Sequence, residues 1–394
     1  MMRHPSATDH LLFGLLVDEE NSAAKIVVRR GTAPAAIRSE MFGALGVDLS
    51  KTNLKHILSY ASAPGFDRPH DKSVLRVGIV GVSGYGGGEV LRICAAHPLF
   101  HVVYVAGEAS AGQRLDERFP GIGELGSLPV QKWDPARLPD LDLLFASLPS
   151  GESKRALAQV RPETRIVDIG GDHRFADGWT YGLADVWPEQ IRGVARVANP
   201  GCYPAASLAA LAPLVANKLI DPAGIIIDAK SGVSGAGRGG GSTFGFAEAN
   251  EDVAAYALLK HPHAPEIVTA LSQLAGTAAS LTFSPHLVPM TRGILATCYA
   301  RGTVTSEACL DAARRFYDGR PFVRVIDKPP HTKWATGSNL VYLSYAADPD
   351  RGMVIALAAI DNLGKGAAGQ AVQNANLMLG LPETTGLEGA PLWP

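Results

Sequence analysis

Val77-Gly78-Ile79-Val80-Gly81-Val82-Ser83-Gly84-Tyr85-Gly86-Gly87-Gly88-Glu89 is the stretch on which the fold turns. Its first four residues read as a short buried strand. A glycine loop follows, then an apolar run from Val90 to Ala96 that reads as a helix, then a second strand over Val102–Ala106. Strand, glycine loop, helix and strand within about 30 residues make the first βαβ unit of a dinucleotide-binding fold. Gly81, Ser83, Gly84, Tyr85, Gly86 and Gly87 are the candidate cofactor contacts, because glycines admit a pyrophosphate to the backbone and a helix start offers N–H donors. The plainer reading of the same glycines is tight helix–strand packing.

The second strand ends in Gly107-Glu108-Ala109-Ser110, the place that separates the two nicotinamide dinucleotides. Glu108 suits a ribose 2′-hydroxyl and Ser110 a 2′-phosphate, so the residues leave both open. Two further strands, Leu141–Ala146 and Arg165–Ile169, run into turn-forming residues at the presumed carboxyl edge of the sheet, where ligands bind. Ser147 and Pro149 are candidates there, and Arg174 adds a cation close by.

Several function classes drop out on composition. The 394 residues are 46% hydrophobic and 19% charged, as in ordinary globular proteins of two or three domains. A formal charge of −2 offers no field for nucleic acid or an anionic membrane. No apolar stretch reaches the roughly 18 residues of a membrane span. Acidic residues around Leu11–Val17 argue against a signal or transit peptide. Cys94, Cys202, Cys298 and Cys309 show neither CxxC spacing nor a disulfide framework, which predicts a reducing, cytoplasmic setting and no metal site.

Residues 1–46 read as a helical extension and 47–73 as a polar linker. The expected division is then a dinucleotide-binding domain over 74–203 and 362–394, with a catalytic domain over 204–361. Strands at Gly224–Lys230, Ile294–Ala300, Phe322–Ile326, Leu340–Tyr345 and Met353–Ala359 predict an α+β catalytic domain on a mixed sheet.

Chemistry concentrates in two stretches. In Ala198-Asn199-Pro200-Gly201-Cys202-Tyr203-Pro204 a turn delivers a thiol to the head of an Ala/Leu-rich helix, where free N–H groups and the helix dipole favour the thiolate. A thiolate there is suited to forming a thioester, with backbone N–H groups and Asn199 around the oxyanion. A lone cysteine is also often just a buried one. In Lys260-His261-Pro262-His263-Ala264-Pro265-Glu266 two histidines bracket a proline. His263 is the candidate acid/base, with Glu266 orienting its imidazole and His261 as second choice. Lys230, Ser234 and Arg238 lie in or beside the glycine-rich run 231–241, which suits an anion such as phosphate; Arg292 is a further cation. Asn362 and Lys365, in a glycine-rich run, suit the far end of the cofactor. The plainer reading of the 231–241 run is a lid without a ligand.

Gly81–Arg92, His97-Pro98, Asn199–Pro204, Ser231–Arg238, His263–Ile267, Pro285–Gly293 and Asp361–Gln370 occur in an order and spacing that resembles the N-acetyl-gamma-glutamyl-phosphate reductase family, from about Val74 onward. The resemblance implies a Rossmann domain with a semialdehyde-dehydrogenase-type catalytic domain and NADP as cofactor. It also implies an acyl phosphate substrate reduced through a cysteine thioester in arginine synthesis, and a homo-oligomer, dimer or tetramer. His173 stands where the family usually has Phe, Gly107-Glu108 replaces a Ser-rich strand end, and residues 1–73 have no family counterpart. The Thr8–Gly31 wording resembles part of the N-terminal repeat of Clp-type chaperones, which implies a protein-docking appendage; a short helical extension is the plainer reading. Two rival functions follow. One is reduction of a related acyl phosphate, either carrier-bound aminoadipyl phosphate or aspartyl phosphate. The other is a recruited module without activity.

Overall fold

The computed structural model describes residues 74–238 and 245–393. The expected N-terminal helices, the linker, the Clp-like stretch and the glycines at 239–241 lie outside the described residues.

Strands β1 (Leu75–Val80), β2 (Phe100–Ala106), β3 (Leu143–Ala146), β4 (Arg165–Asp168), β5 (Thr180–Tyr181) and β6 (Arg196–Ala198) form one sheet in the order β2-β1-β3-β4-β6-β5. Every pairing in it is parallel. Val77, Ile79, Leu143, Leu144 and Phe145 are wholly buried, as expected of short apolar strands covered on both faces. The chain leaves β1 for β2 on one side and returns to β3 on the other. That reversal opens a crevice at the carboxyl ends of β1 and β3. Helix α1 (Tyr85–Ala96) starts there and packs back against β1 and β2.

The second sheet is mixed, as expected. Its strands are β7 (Ile225–Gly232), β8 (Ala254–Ala255), β9 (Leu281–Val288), β10 (Ile294–Arg301), β11 (Val323–Val325), β12 (Val341–Asp348) and β13 (Met353–Ile360), ordered β11-β12-β13-β10-β7-β9-β8. β7 pairs parallel with β9 and antiparallel with β10. In β10 the buried residues Ile294, Ala296, Cys298 and Ala300 alternate with half-buried ones, the period-2 signature of a sheet with one inner face.

Helix α2 (Cys202–Ala216) lies on that inner face, between α3 (His263–Ala275) and α4 (Ser306–Phe316). Every residue from Tyr203 to Val215 is buried, so α2 is apolar all round, as a central helix must be. Each fully enclosed leucine, such as Leu208 or Leu211, contributes roughly 1.5–3 kcal/mol of burial. Pro213 has no N–H to give the Ala209 carbonyl one turn back. The Tyr317 hydroxyl donates to that carbonyl instead, at 2.8 Å. Helix α5 (Gly369–Met378) is wholly buried and packs on α1 and β4 of the first sheet.

Candidate active site

The crevice beside β1 is built for close approach. Gly81 has φ +82°, and a Cβ there would overlap the Ser147 carbonyl. Gly87 packs as tightly on the Gly81 carbonyl, which seats α1 against the strand. Helix α1 begins at an N-cap glycine, Gly84, with no side-chain cap and no acid in its first turn. Its N-terminal N–H groups and dipole therefore favour an anion. Ser147 and Pro149 close the far wall at the end of β3, and the Ser83 and Ser110 hydroxyls meet across the β2 side. Arg238 reaches over from the second sheet, donating to the Ser83 carbonyl at 3.2 Å with its guanidinium 5.9 Å from the Tyr85 ring centre. Glycine cradle, uncapped helix and cation fit a dinucleotide diphosphate.

Strand β6 ends at Ala198 and passes through Asn199-Pro200-Gly201 into Cys202, the first residue of α2. Cys202 opens into a cavity of about 250 Å³ lined also by Tyr203, Ser231, Tyr256, His261 and His263. His263 is the first residue of α3, so the heads of two helices face one cavity. Nε2 of His263 stands against Gly201, where a Cβ would collide with it. The His263 backbone N–H donates to Nδ1 of His261 at 3.1 Å, whereas Nδ1 of His263 is buried with no hydrogen-bond partner among the described residues. Gly366 covers Cys202 from the other side: a Cβ there would sit 2.8 Å from that of Cys202.

Burial decides the electrostatics. It pushes the Cys202 thiol up to about 11, against the pull of Arg174 and of backbone N–H groups at the helix head. The expected acidic thiol is therefore corrected: in the free protein desolvation outweighs the helix dipole. Burial likewise takes His261 down to about 4 and holds His263 well below the ordinary imidazole range, where Arg174 and His261 lower it further. Both rings are neutral near pH 7, and burial makes each a weaker proton acceptor than a free imidazole.

Five other expectations are corrected by the partners the side chains have. Glu266 does not orient His263: its carboxylate takes bonds from Arg174 Nη1 (2.7 Å), the Tyr181 hydroxyl (2.7 Å) and the Gly201 N–H (3.0 Å). Asn199 is enclosed, its Nδ2 bonded to the Ala367 carbonyl and its Oδ1 to Asn374, so it has nothing left for an oxyanion. Lys230 neighbours Ser231 on β7 and so points to the opposite face, pairing with Asp228 at 2.6 Å. Arg292 is a clamp, bonded to Asp361 on one side and Glu89 of α1 on the other. Lys365 is buried against Asp185 at 2.5 Å and Gln373 at 2.7 Å, so its ammonium is already engaged within the protein. Asn362 and Ser234 bond one another at 2.9 Å and shape the turn that ends at Arg238. Arg174 remains as the cation beside the turn that carries Cys202; its Nε donates to the Asn199 carbonyl at 3.0 Å.

Sequence reasoning missed Tyr181, Tyr256, Ser231 and Gly366. Gly366 carried a signal, a glycine in a glycine-rich turn; nothing local to the two tyrosines marked them as site residues.

A parallel dinucleotide-binding sheet that hands its chain to a cysteine-headed helix on a mixed sheet defines the semialdehyde dehydrogenase class. Two domain families match: semialdehyde dehydrogenase, NAD binding domain, over residues 76–194, and semialdehyde dehydrogenase, dimerisation domain, over 202–362. Both begin beyond the Clp-like stretch and leave that resemblance unsupported. The chain belongs to the N-acetyl-gamma-glutamyl-phosphate reductase family. It is 69% identical over 322 residues to the enzyme of that name from Bradyrhizobium sp. (strain ORS 278), covering 81% of this chain and 99% of the relative. It is 66% identical to that of Methylobacterium sp. (strain 4-46), with the same coverage. Among solved structures, aspartate semialdehyde dehydrogenase with NADP from Candida albicans superimposes with TM-score 0.65 at 15% identity, covering 78% of this chain and 99% of that one. The aspartate semialdehyde dehydrogenase II of Vibrio cholerae gives 0.62 at 17%, covering 78% and 98%. At such identities these two speak for the fold alone.

Proposed function

We propose that this chain reduces N-acetyl-gamma-glutamyl phosphate to N-acetylglutamate 5-semialdehyde with NADPH, releasing phosphate, through a thioester on Cys202. The carrying observation is that Cys202 and His263, at the heads of two helices, share one cavity with Gly201 between them. Identity of 66–69% to reductases of that name supports the choice of substrate.

His263 Nε2 takes the proton of the Cys202 thiol as sulfur attacks the acyl carbon and the carbon–phosphate oxygen bond breaks. Burial raises the thiol's proton affinity and lowers the imidazole's, so the thiol stays protonated in the free protein and the transfer accompanies attack on the acyl carbon. When bound, NADPH supplies the hydride that converts the thioester carbonyl to the aldehyde level. As the carbon–sulfur bond breaks, the proton held by His263 returns to sulfur. Backbone N–H groups at the head of α2 face the developing oxyanion. Arg174, whose charge acts on Cys202, is the cation assigned to the departing phosphate. Gly81, Ser83, Gly84, Tyr85, Gly86, Gly87, Ser110, Ser147 and Pro149 hold the dinucleotide.

The nucleotide-binding part is residues 74–203 with 362–394, and the catalytic part 204–361. The open face of the second sheet, around Ile226, Tyr299 and Met353, together with the match to a dimerisation domain, supports a homo-oligomer. Among the described residues no helix is long and apolar enough to cross a membrane; with free cysteines throughout, that supports a cytoplasmic setting.

The test is phosphate-dependent reduction of NADP against NAD with N-acetylglutamate semialdehyde, set beside aspartate semialdehyde. Cys202→Ala is expected to abolish turnover and keep NADP binding. Wild-type-like rates in that variant end the covalent route, and preference for the aspartate substrate ends the assignment.

A further inference from the structure

We infer that Tyr181 is a positioning residue for this reaction, acting through Glu266 on the turn that presents Cys202. The inference rests on the functional reading above and assigns a role to a residue on the edge of the other sheet. Tyr181 ends β5, in register with Ala198 of β6, just before the catalytic turn. Its ring is buried, stacked on Phe175 at 4.2 Å and edge-on to Trp187 at 6.3 Å, so the hydroxyl has one direction to point. It donates to Oε1 of Glu266 at 2.7 Å, and the same oxygen accepts the Gly201 N–H at 3.0 Å.

One carboxylate thus joins three pieces of chain. Glu266 stands in the first turn of α3, three residues after His263. Gly201 immediately precedes the nucleophile. Arg174, bonded to Oε2 at 2.7 Å, also grips the Asn199 carbonyl. The relative placement of sulfur and imidazole is therefore set by how firmly this carboxylate is held, and Tyr181 is its neutral donor. The other charged or titratable groups facing Glu266 and the turn are Arg174, Cys202, His263 and, through His263, His261.

The carboxylate must be ionised to accept three donors. Burial raises its proton affinity, while Arg174, the Gly201 N–H and the Tyr181 hydroxyl lower it. Removing the hydroxyl leaves only the first two to oppose burial, so Glu266 takes up a proton at higher pH. A protonated Glu266 holds Arg174 and Gly201 less well, and the acid side of the activity profile retreats.

Tyr181→Phe keeps the ring stack and removes one hydrogen bond. The expected result is a fall in kcat of about ten- to a hundredfold with KM within about threefold, as for a lost charge-assisted bond that misplaces reacting groups. The acid limb of the kcat–pH profile is expected to move to higher pH. Glu266→Gln should abolish that limb, and adding Tyr181→Phe to it should cost little more, since both act through one carboxylate. Near-UV circular dichroism shows whether each variant is folded. Wild-type kcat and an unmoved acid limb in folded Tyr181→Phe overturn the inference, as does full additivity of the two changes. Failure of the underlying reading looks different: there Cys202→Ala stays active, or the wild-type protein is inert towards the acetylated semialdehyde.

Discussion

The His263 imidazole rests on Gly201, with Nε2 so near the glycine Cα that no side chain fits between them. The residue before Cys202 is a glycine because the His263 ring occupies the space a β-carbon would need. Its backbone is ordinary, at φ −68°, so steric room and not conformational freedom is what the position requires. Gly201→Ala is expected to fold and to bind NADP, yet to lose about a hundredfold in kcat as the ring or the turn shifts. Steady-state kinetics beside a cofactor-binding titration check this. Unchanged kcat would mean that the imidazole can move without consequence.

A thiol held up near 11 is almost entirely protonated at pH 7. Alkylation of Cys202 by iodoacetamide in the free protein should therefore accelerate steadily from pH 7 through 10. A rate that levels off by pH 8 would show that the helix head, not burial, governs the sulfur. Arg174→Leu removes a charge that favours the thiolate and should slow alkylation further at each pH.

Arg292 spans Asp361, wholly buried, and Glu89, nearly so, at 2.9 and 2.7 Å. Arg292→Ala removes the cation the two carboxylates share, leaving Glu89 to Arg92 and Asp361 to the backbone N–H groups of Gly337, Leu363 and Gly364. A loss of about 1–3 kcal/mol of stability is expected, as for charge-assisted bonds removed from groups that keep other partners. Urea denaturation measures it. KM for phosphate in the reverse reaction should barely change, because the guanidinium is spent on the clamp; a tenfold rise would return Arg292 to the substrate site.

His97, stacked on Phe100 at 3.7 Å, is lowered to about 4 by burial, although its bond to Asn376 works the other way. Unfolded, it titrates near 6.5. Between those values the unfolded chain binds a proton that the folded one refuses, so stability drops as pH falls from about 6.5 towards 4. His261 adds to the same window. His97→Gln should flatten the dependence of unfolding free energy on pH between 7 and 5. An unaltered slope would remove His97 from the acid sensitivity of the fold.

The glycine loop, the strand pattern, the thiol at a helix head and the paired histidines were legible in the chain because each is a local matter. Backbone room, period-2 burial, a proline in the first turn and short spacing act within a dozen residues or so. Partnerships were not legible. Glu266 seemed destined for His263, three residues away, but the helix turns its carboxylate towards Arg174 and Gly201, 92 and 65 residues distant. Lys230 and Ser231 are adjacent in sequence and face opposite sides of a sheet, while Arg292 meets Glu89 across 203 residues. Sequence by itself determined which elements form and which chemical groups stand at their ends. Tertiary structure alone decided which charges neutralise one another and how dry the sulfur is, because desolvation and ion pairing depend on what other parts of the chain bring to the same few ångströms.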